Sequence, residues 1–332
     1  MRKNFPTRFY DGCVNYNLID TIDQRYSNQF AYGWKANKTR AYDQGHWNVP
    51  ICIQRKKSLE DISKQLSSKD RDLFGLWEYL KRHFLGERVL SRVYINGYTY
   101  GTDGYIHRDD PYFDEEKENS PTRETVIIYL NKQWDADWGG ETSLFDSQRE
   151  ITKSVIPKHG RMLIFDGQTE HASRPLSRSC GELRKVLVFK TYTSTQKNKI
   201  DYLYDKTIDK QHSRRTFYEH LVGTSAIAIS NGAPPNLIDA CMFHSIYGTE
   251  YYKNVPSGVT REWVKEQIGD KAEELVYTFC EFQRWRLQTL VTQYQKEPSQ
   301  FNKDLLFIEY CNLLEQQGVS ERTNLIKQLI FT

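Results

Sequence analysis

The sequence predicts an α+β protein in which a β-rich part is followed by an α-helical part. Before about residue 195, short runs rich in β-branched and aromatic residues alternate with glycine-containing turns, as is typical of strands. Beyond that point apolar residues recur at helical spacing and the strand signals fade. The polar segment 194–199 marks the change, and a chain of 332 residues suits roughly two domains.

Two helices are predicted within residues 1–90, which we assign as a helical and β flank of the part that follows. The first begins near Ser58 and the second covers residues 69–84. Their apolar residues recur every three or four positions, which predicts one buried face on each helix. These residues are Leu59, Ile62 and Leu66 in the first helix and Leu73, Leu76, Trp77, Leu80 and Phe84 in the second.

Four strands are predicted between residues 88 and 192. They cover residues 88–100, 125–131, 161–166 and 185–192. The second of them is almost continuously apolar, which indicates a strand buried on both faces. In the first, Tyr94, Asn96, Tyr98 and Tyr100 share one face, and this stripe faces either a binding site or solvent. The carboxylate-rich segment 112–123 has no periodicity and predicts a surface loop.

Five helices are predicted beyond residue 200, in an α-helical accessory domain at 200–332. They cover residues 214–230, 235–247, 260–268, 271–294 and 303–317. Their wide apolar faces suit packing within the domain or against a second copy of the chain. A homo-oligomer formed through this domain is therefore one expectation.

The composition excludes several classes of protein. Lys and Arg number 46 against 43 Asp and Glu, a net charge of +3, which is too balanced to indicate a nucleic-acid or anionic-membrane partner. The mean hydropathy is −0.72, and no apolar run reaches the ~20 residues that cross a bilayer. The first residues lack the apolar stretch of a secretory signal, so we expect a soluble, cytoplasmic protein. The six cysteines have no C-x-x-C spacing and predict reduced thiols.

Three residues have the types and spacing of a metal site. His107 and Asp109 are two positions apart, so on a strand both side chains point to the same face. His171 begins a later predicted strand and supplies a third ligand. Two imidazoles and one carboxylate make the facial triad that binds Fe(II) and leaves coordination positions open for a co-substrate and O₂.

The order of motifs around these residues resembles the Fe(II)/2-oxoglutarate dioxygenases of the prolyl-4-hydroxylase type. The motifs are His107-x-Asp109, Tyr129-Leu-Asn, Gly139-Gly-Glu-Thr, Pro157, Gly160-Arg, Phe165, His171 and Arg184. The resemblance spans residues 88–195 and implies a double-stranded β-helix (jelly-roll) core at 91–195. It also implies Fe(II) as the metal, 2-oxoglutarate as co-substrate, and ascorbate as a supporting reductant.

The resemblance assigns Arg184 to the distal carboxylate of 2-oxoglutarate, with the Tyr129 phenol as its helper. A guanidinium suits this role because it can grip a carboxylate with two parallel hydrogen bonds. By strand alternation Arg184 shares a face with Val186 and Val188, whereas Lys185 points the other way. The family often has Arg-x-Ser here, and Val186 occupies the place of that serine.

The expected activity is hydroxylation of an unactivated C–H bond in a small metabolite or amino-acid-like substrate. The reaction consumes O₂ and 2-oxoglutarate and releases succinate and CO₂. Asp109 favours hydroxylation over halogenation, because halogenases of this class need an open site in place of that carboxylate. Desaturation and other outcomes use the same triad, so the sequence does not separate them from hydroxylation.

Two alternatives stay open. One is a peptidyl, prolyl-type hydroxylase that acts on a protein. The other depends on residues 214–252, where His220 and His244 resemble the opening of an HD-type metal-dependent phosphohydrolase. That family follows its second histidine with a metal-binding aspartate, whereas this chain has Ser245. The resemblance implies a degenerate HD-type domain, which is either a metal hydrolase with the oxygenase part as scaffold or, as we expect, an accessory domain.

Overall fold

A computed structural model describes residues 5–34, 45–53, 61–102, 104–110, 122–250, 252–282 and 284–331. The chain divides into two compact units, Met1–Gln196 and Lys197–Thr332. The finer division of the first unit at residue 90 stays a prediction. The start of the first predicted helix near Ser58 and most of the predicted loop 112–123 lie outside the described residues.

The first unit is built on a seven-stranded antiparallel sheet. Its strands are β1 (Arg8–Tyr10), β2 (Ala31–Trp34), β3 (His46–Ile53), β4 (Arg88–Tyr98), β5 (Glu124–Tyr129), β8 (Met162–Asp166) and β10 (Arg184–Thr193). Their order across the sheet is β1-β8-β5-β10-β4-β3-β2. A second antiparallel sheet has the order β7-β6-β9, from β6 (Thr142–Phe145), β7 (Ile151–Val155) and β9 (Glu170–Ser173).

The core of the first unit lies between these two sheets. Leu144 and Val155 of the smaller sheet share one buried cluster with residues from four strands of the larger sheet. The partners from the larger sheet are Tyr94, Ile127, Tyr129, Leu163, Phe165, Val186 and Val188. The predicted α+β class and jelly-roll core are confirmed, and all six residues of β5 are buried, as its continuous apolar run predicts.

The strands that the sequence did not predict are mostly short. Strands β1, β2, β6, β7 and β9 have three to five residues each, too few to show a period of two clearly. The longer β3 carries Pro50 in its interior, which argues against a strand. The register of β3 against β4 shifts between Pro50 and Cys52, and such irregularities are where a sheet accommodates proline.

Helices flank the sheet in the N-terminal region. They are α1 (Tyr16–Tyr26), α2 (Ser63–Lys69) and α3 (Arg71–Leu80), the last continued by a π-helical turn, Lys81–Leu85. The predicted second helix therefore begins at residue 71, because Asp70 is extended (φ −151°) and caps α3 by accepting from the Asp72 and Leu73 amides. Leu66, Leu73 and Leu80 are fully buried, as predicted.

Asp70 is a buried charge on which two helices depend. Its carboxylate accepts hydrogen bonds from Arg25 at 2.6 Å and from the Tyr26 hydroxyl at 2.9 Å, both from α1. Burial would raise the pKa of Asp70, but the hydrogen bonds from Arg25, the Leu73 amide and Tyr26 outweigh it and lower the pKa. A carboxyl with a lowered folded-state pKa stabilises the fold above its unfolded pKa of about 4 and stops doing so as pH falls through the folded value.

We expect Asp70→Asn to lower the free energy of unfolding by about 2 kcal/mol at pH 7, the range for a hydrogen bond to a charged group. The difference from the unmodified protein should shrink as pH falls below about 4. Urea unfolding at a series of pH values measures it. The matched control is Asp72→Asn, since Asp72 pairs with the same Arg25 but its side chain is 45% exposed. A loss at pH 7 no larger than that of the control would contradict the role of Asp70.

The second unit is α-helical apart from a short hairpin of β11 (Gln211–His212) and β12 (Arg215–Thr216). Its helices are α4 (Lys199–Thr207), α5 (Phe217–Ser230), α6 (Pro235–Phe243), α7 (Arg261–Ile268), α8 (Asp270–Glu281), α9 (Arg286–Lys296), α10 (Gln300–Gln317) and α11 (Glu321–Ile330). Helices α4 and α11 are not in the sequence prediction. Both begin at a polar capping box, with Asn198 before α4 and Ser320 before α11.

The single helix predicted over residues 271–294 is wrong. The chain leaves helical geometry at Phe282, which is extended, and Trp285 has left-handed backbone geometry (φ +61°) before α9 starts. Apolar residues keep a helical spacing across the break, so periodicity alone does not reveal it.

No helix in the described ranges has the length and apolar character to cross a membrane. All six cysteines have free thiols, and five of them are buried, the exception being Cys180.

Candidate metal and co-substrate site

The three predicted metal ligands lie together in the first unit. One ligand atom from each of His107, Asp109 and His171 can be chosen so that all lie within 4.8 Å of one another. His171 lies in β9, whereas His107 and Asp109 lie in the segment before β5. The sequence predicts a strand at His107, and this is wrong. His107 instead forms one isolated bridge to His171, with two N–H···O bonds of 3.0 Å. This backbone pairing places the two imidazoles side by side.

Hydrogen bonds fix the orientation of both imidazoles. His107 Nδ1 lies 2.7 Å from the Tyr105 carbonyl, and His171 Nδ1 lies 3.0 Å from the Thr169 carbonyl. A carbonyl accepts only, so each Nδ1 carries the proton and each Nε2 keeps its lone pair. The Nε2 atoms of His107 and His171 lie 3.6 and 3.7 Å from opposite oxygens of Asp109. Such backbone partners are how proteins orient histidines toward a metal.

Asp109 is buried and held from both sides. The Thr125 hydroxyl donates to Oδ2 and the Lys190 ammonium donates to Oδ1, each at 2.6 Å. Burial would raise the pKa of Asp109, but the charge of Lys190 outweighs it and holds the pKa well below its usual value. Asp109 is therefore an anion at neutral pH.

His171 is neutral at physiological pH. Its burial, together with the neighbouring His107, lowers its pKa to about 4. A neutral imidazole is the form that binds a metal. One carboxylate and two imidazoles fit Fe(II), because this donor set is that of the facial triad with open positions. Among the described residues, this is the one group of His, Cys, Asp or Glu side chains placed to hold a metal ion.

Arg184 lies inside the same core at the start of β10. Its side chain is almost wholly buried, its Nε donates to the Gly140 carbonyl at 2.5 Å, and its Nη2 donates to the Thr142 hydroxyl at 2.9 Å. The guanidinium lies 5.5 Å from the ring centroid of Tyr98 and 5.3 Å from that of Tyr129. Lys185 points the other way, and its ammonium pairs with Asp23 at 2.5 Å.

Gly140 makes room for this arginine. Its φ is +73°, and a Cβ there would lie 3.0 Å from Cδ of Arg184 and 3.2 Å from the Trp134 ring. The turn at Gly139 and Gly140 thus brings a backbone carbonyl against the guanidinium, which a residue with a side chain would prevent.

The Tyr129 hydroxyl is engaged within the core. Its oxygen lies 2.6 Å from the Thr142 hydroxyl and 3.1 Å from the Val155 carbonyl, so its one proton is shared within the core. The phenol lies beside the Arg184 guanidinium, where the resemblance places it, but its hydroxyl is already hydrogen-bonded within the protein. The role of Tyr129 in binding 2-oxoglutarate stays a prediction.

The tyrosine stripe of β4 faces the interior over part of its length. Tyr94 and Tyr98 are buried, Asn96 is half-buried and Tyr100 is 54% exposed. His46 of β3 is buried and stacks on Tyr98 at 4.8 Å between ring centroids. The stripe is therefore buried within β4, whereas Tyr100 lies in the turn after the strand and is exposed. A binding role for Tyr94 and Tyr98 stays a prediction.

Sequence reasoning missed three residues of the site, which are Thr125, Thr142 and Lys190. The sequence could have identified Lys190, because the alternation that groups Arg184 with Val186 and Val188 continues to residue 190. Thr125 shares a face of β5 with Ile127 and Tyr129 by the same rule. Nothing in the sequence shows that Thr142 accepts from both Arg184 and Tyr129.

The two histidines of the HD-type resemblance are also close together, in the second unit. His220 and His244 are fully buried, and their Nε2 atoms lie 3.1 Å apart. His220 Nδ1 bonds Glu315 at 2.5 Å, and His244 Nδ1 donates to the Cys241 carbonyl at 2.8 Å. Burial lowers the pKa of both imidazoles well below the usual value. The pair is thus uncharged and internally hydrogen-bonded.

Two family models match this chain, one in each unit. Residues 94–191 match the 2OG-Fe(II) oxygenase superfamily, and this range contains the triad and Arg184. Residues 205–284 match a domain of unknown function (DUF6817), and this range contains His220 and His244. The first match implies Fe(II) and 2-oxoglutarate for the site described above.

Solved structures similar to this chain include three oxygenases, each aligned over 56% of this chain. A prolyl hydroxylase from Trichoplax adhaerens, in complex with a hypoxia inducible factor peptide fragment, is 19% identical, with 83% of its chain covered and a TM-score of 0.38. A Pseudomonas putida prolyl-4-hydroxylase is 16% identical (90% covered, TM-score 0.34). A 2OG-Fe(II) oxygenase family oxidoreductase from Burkholderia pseudomallei is 16% identical (84% covered, TM-score 0.39). No curated protein matches the sequence significantly.

Proposed function

We propose that this chain, a 2-oxoglutarate-dependent dioxygenase in which residues 94–191 match the 2OG-Fe(II) oxygenase superfamily, hydroxylates an unactivated C–H bond of a small, amino-acid-like substrate. Succinate and CO₂ are the co-products. The observation that carries the proposal is the His107–Asp109–His171 cluster in the same interior as the buried Arg184.

His107, Asp109 and His171 would hold Fe(II), which supplies the redox chemistry that activates O₂ against a C–H bond. The chain's own contribution is geometric and electrostatic. Backbone carbonyls hold each Nδ1 proton, so the Nε2 lone pairs face the metal position. Lys190 and Thr125 keep the Asp109 carboxylate oriented and anionic.

Arg184 would anchor the distal carboxylate of 2-oxoglutarate. A guanidinium remains charged even when buried and presents planar N–H donors. The apolar cluster between the two sheets, which includes Val186 and Val188, excludes water and strengthens a charge pair formed there. The co-substrate would then extend from Arg184 toward the triad, both of which border this interior.

One cation beside the triad supports a substrate with a carboxylate. The Lys190 ammonium donates to Asp109 at 2.6 Å and lies 5.8 Å from the centroid of the Tyr94 ring. An ammonium has three N–H donors, and hydrogen bonds between charged groups are the strong ones. A cation at this place favours a substrate that carries a carboxylate, as a free amino acid does, over a neutral metabolite.

The test is succinate release by the full-length protein with Fe(II), 2-oxoglutarate and O₂. We expect slow release without substrate and faster release when free amino acids or other small carboxylic acids are added one by one. Each acid is matched by its neutral amide, which should stimulate release at least about 10-fold less, the effect of losing one charged hydrogen bond.

Mass spectrometry of the stimulating compound should show the gain of one oxygen atom. Stimulation by peptides alone would contradict the small-molecule substrate while leaving the oxygenase assignment intact. A protein that releases no succinate under any of these conditions would contradict the enzymatic assignment itself.

A further inference from the structure

The second unit contains a pocket of about 640 Å³ whose walls come entirely from that unit. The lining residues belong to the β11–β12 hairpin, the segment after α6, the start of α9, and helices α10 and α11. This volume lies within the roughly 300–1,000 Å³ of small-molecule sites. Nothing in the proposed oxygenase chemistry uses it.

The lining is polar. Six of the lining residues are Asn or Gln, whereas Leu287 and Leu313 are the aliphatic ones. Small-molecule pockets usually have mostly apolar walls with a few polar groups, and this pocket reverses that balance. A ligand that suits it must offer hydrogen-bonding groups over most of its surface.

Two polar atoms of the wall are buried without a partner. Neither His212 Nδ1 nor the Tyr252 hydroxyl has a hydrogen bond within the described part of the chain. His212 is fixed in place by stacking on His220, with ring centroids 4.0 Å apart and planes within 6°. Buried polar groups in folded proteins are nearly always hydrogen-bonded, so these two atoms favour a ligand that offers hydrogen bonds.

The backbone is strained at the same pocket. Among the described residues, three non-glycine residues have positive φ, and two of them, Ser213 (φ +57°) and Trp285 (φ +61°), line this pocket. A bulky residue in this region is a rare outlier, and such strain concentrates at ligand sites. The Trp285 side chain is 71% exposed, so its indole face is available for stacking.

The pocket carries a net positive charge. Arg286 is neutralised by Glu309, with Nε and Oε2 3.1 Å apart. Arg322 also lines the pocket, and no ion pair from it exists in the ranges that the structure describes. One guanidinium is therefore left to bind an anionic group, the role for which arginine is well suited.

We propose that this pocket binds an anionic carbohydrate, a sugar that carries a phosphate or a carboxylate group. The amides and the two unpartnered polar atoms would bond the sugar hydroxyls, Arg322 would bind the anionic group, and the indole of Trp285 would pack on the sugar ring. A purine or pyrimidine fits less well, because a flat base needs an apolar slot on both faces and the aliphatic wall is small. The proposal is independent of the function proposed for the first unit.

Isothermal titration calorimetry on the full-length protein tests it with defined probes. These are a series of hexose and pentose phosphates, a series of uronates, neutral glucose, inorganic phosphate and AMP. We expect at least one sugar phosphate or uronate to bind with a Kd below about 1 mM. Comparing the sugar phosphates with the uronates shows whether the pocket prefers a phosphate or a carboxylate group. Glucose and inorganic phosphate should each bind at least about 10-fold more weakly, since each offers only part of the contacts.

Substitutions locate the binding. Arg322→Gln should weaken the best probe about 10-fold or more, which is the effect of one lost charged hydrogen bond. Trp285→Ala should also weaken it, because it removes the ring on which the sugar packs. Arg284→Gln is the matched control, because the side chain of Arg284 is 84% exposed and does not line the pocket.

Three results overturn the proposal. The first is that no sugar phosphate or uronate binds, and the second is that AMP or inorganic phosphate binds as tightly as the best sugar. The third is binding that Arg322→Gln leaves unchanged. Because the readout is binding, these results are distinct from a failure to release succinate.

Discussion

Replacing His107, Asp109 or His171 with alanine should abolish 2-oxoglutarate turnover in each case. Each variant removes one of the three donors that converge within 4.8 Å. Loss of an outer-shell hydrogen bond to a metal ligand already costs about 10- to 100-fold in metal affinity or activity, so loss of a ligand should cost more than about 100-fold. Succinate release measures activity, and the iron content of protein purified without oxygen measures the metal.

The fold should survive these substitutions, since the apolar core between the two sheets contains none of the three residues. Circular dichroism and the urea midpoint check this. His159→Ala is the control, because this histidine lies in the same unit but bonds Asp20 at 3.0 Å and stacks on Tyr16. Full activity of any one triad variant would remove that residue from the ligand set.

Other divalent metals extend the same prediction. Mn²⁺ and Co²⁺ accept the same nitrogen and oxygen donors as Fe²⁺, so both should bind to the triad and displace iron. Neither should support succinate release at the rate seen with Fe²⁺. The measurement is the iron content of the protein after exposure to Mn²⁺ or Co²⁺. Displacement of iron from the unmodified protein, and no metal binding by Asp109→Ala, would place the metal at the triad independently of any activity.

The site could be predicted from the sequence where its signal is local. His107 and Asp109 are two positions apart, and Arg184 alternates with Val186 and Val188 on one strand. On a strand, residues two positions apart point to the same face, so these residues could be grouped from the sequence alone. The structure brings them into one interior even though His107 forms a single bridge rather than a strand.

What escaped prediction depends on contacts between distant parts of the chain. Strand alternation groups Lys190 with Arg184, but no local pattern predicts its contact with Asp109, which is 81 positions away. The break before Trp285 depends on backbone geometry that overrides a continuous helical spacing. The polar pocket of the second unit draws its walls from residues 211 to 322. In each case tertiary packing, rather than propensity, decides the outcome.

Substitution of Arg184 by methionine should raise the concentration of 2-oxoglutarate needed for half-maximal succinate release by roughly 10- to 150-fold. This range corresponds to the loss of one hydrogen bond to a charged group, about 1.5–3 kcal/mol. Methionine keeps much of the buried volume, so the effect reports on the charge rather than on a cavity. Because the triad is untouched, iron content should be unchanged, which separates this variant from those of the triad.

Lys185→Met is the control that tests the strand face. Lys185 is the next residue on β10, carries the same charge as Arg184 and points away from the core to pair with Asp23. This ion pair lies on the opposite face of β10 from Arg184, so its loss should not reach the co-substrate. We expect Lys185→Met to leave the 2-oxoglutarate requirement within about twofold of the unmodified protein. If Lys185→Met raised that requirement and Arg184→Met did not, the anchor for the distal carboxylate would lie on the other face of β10.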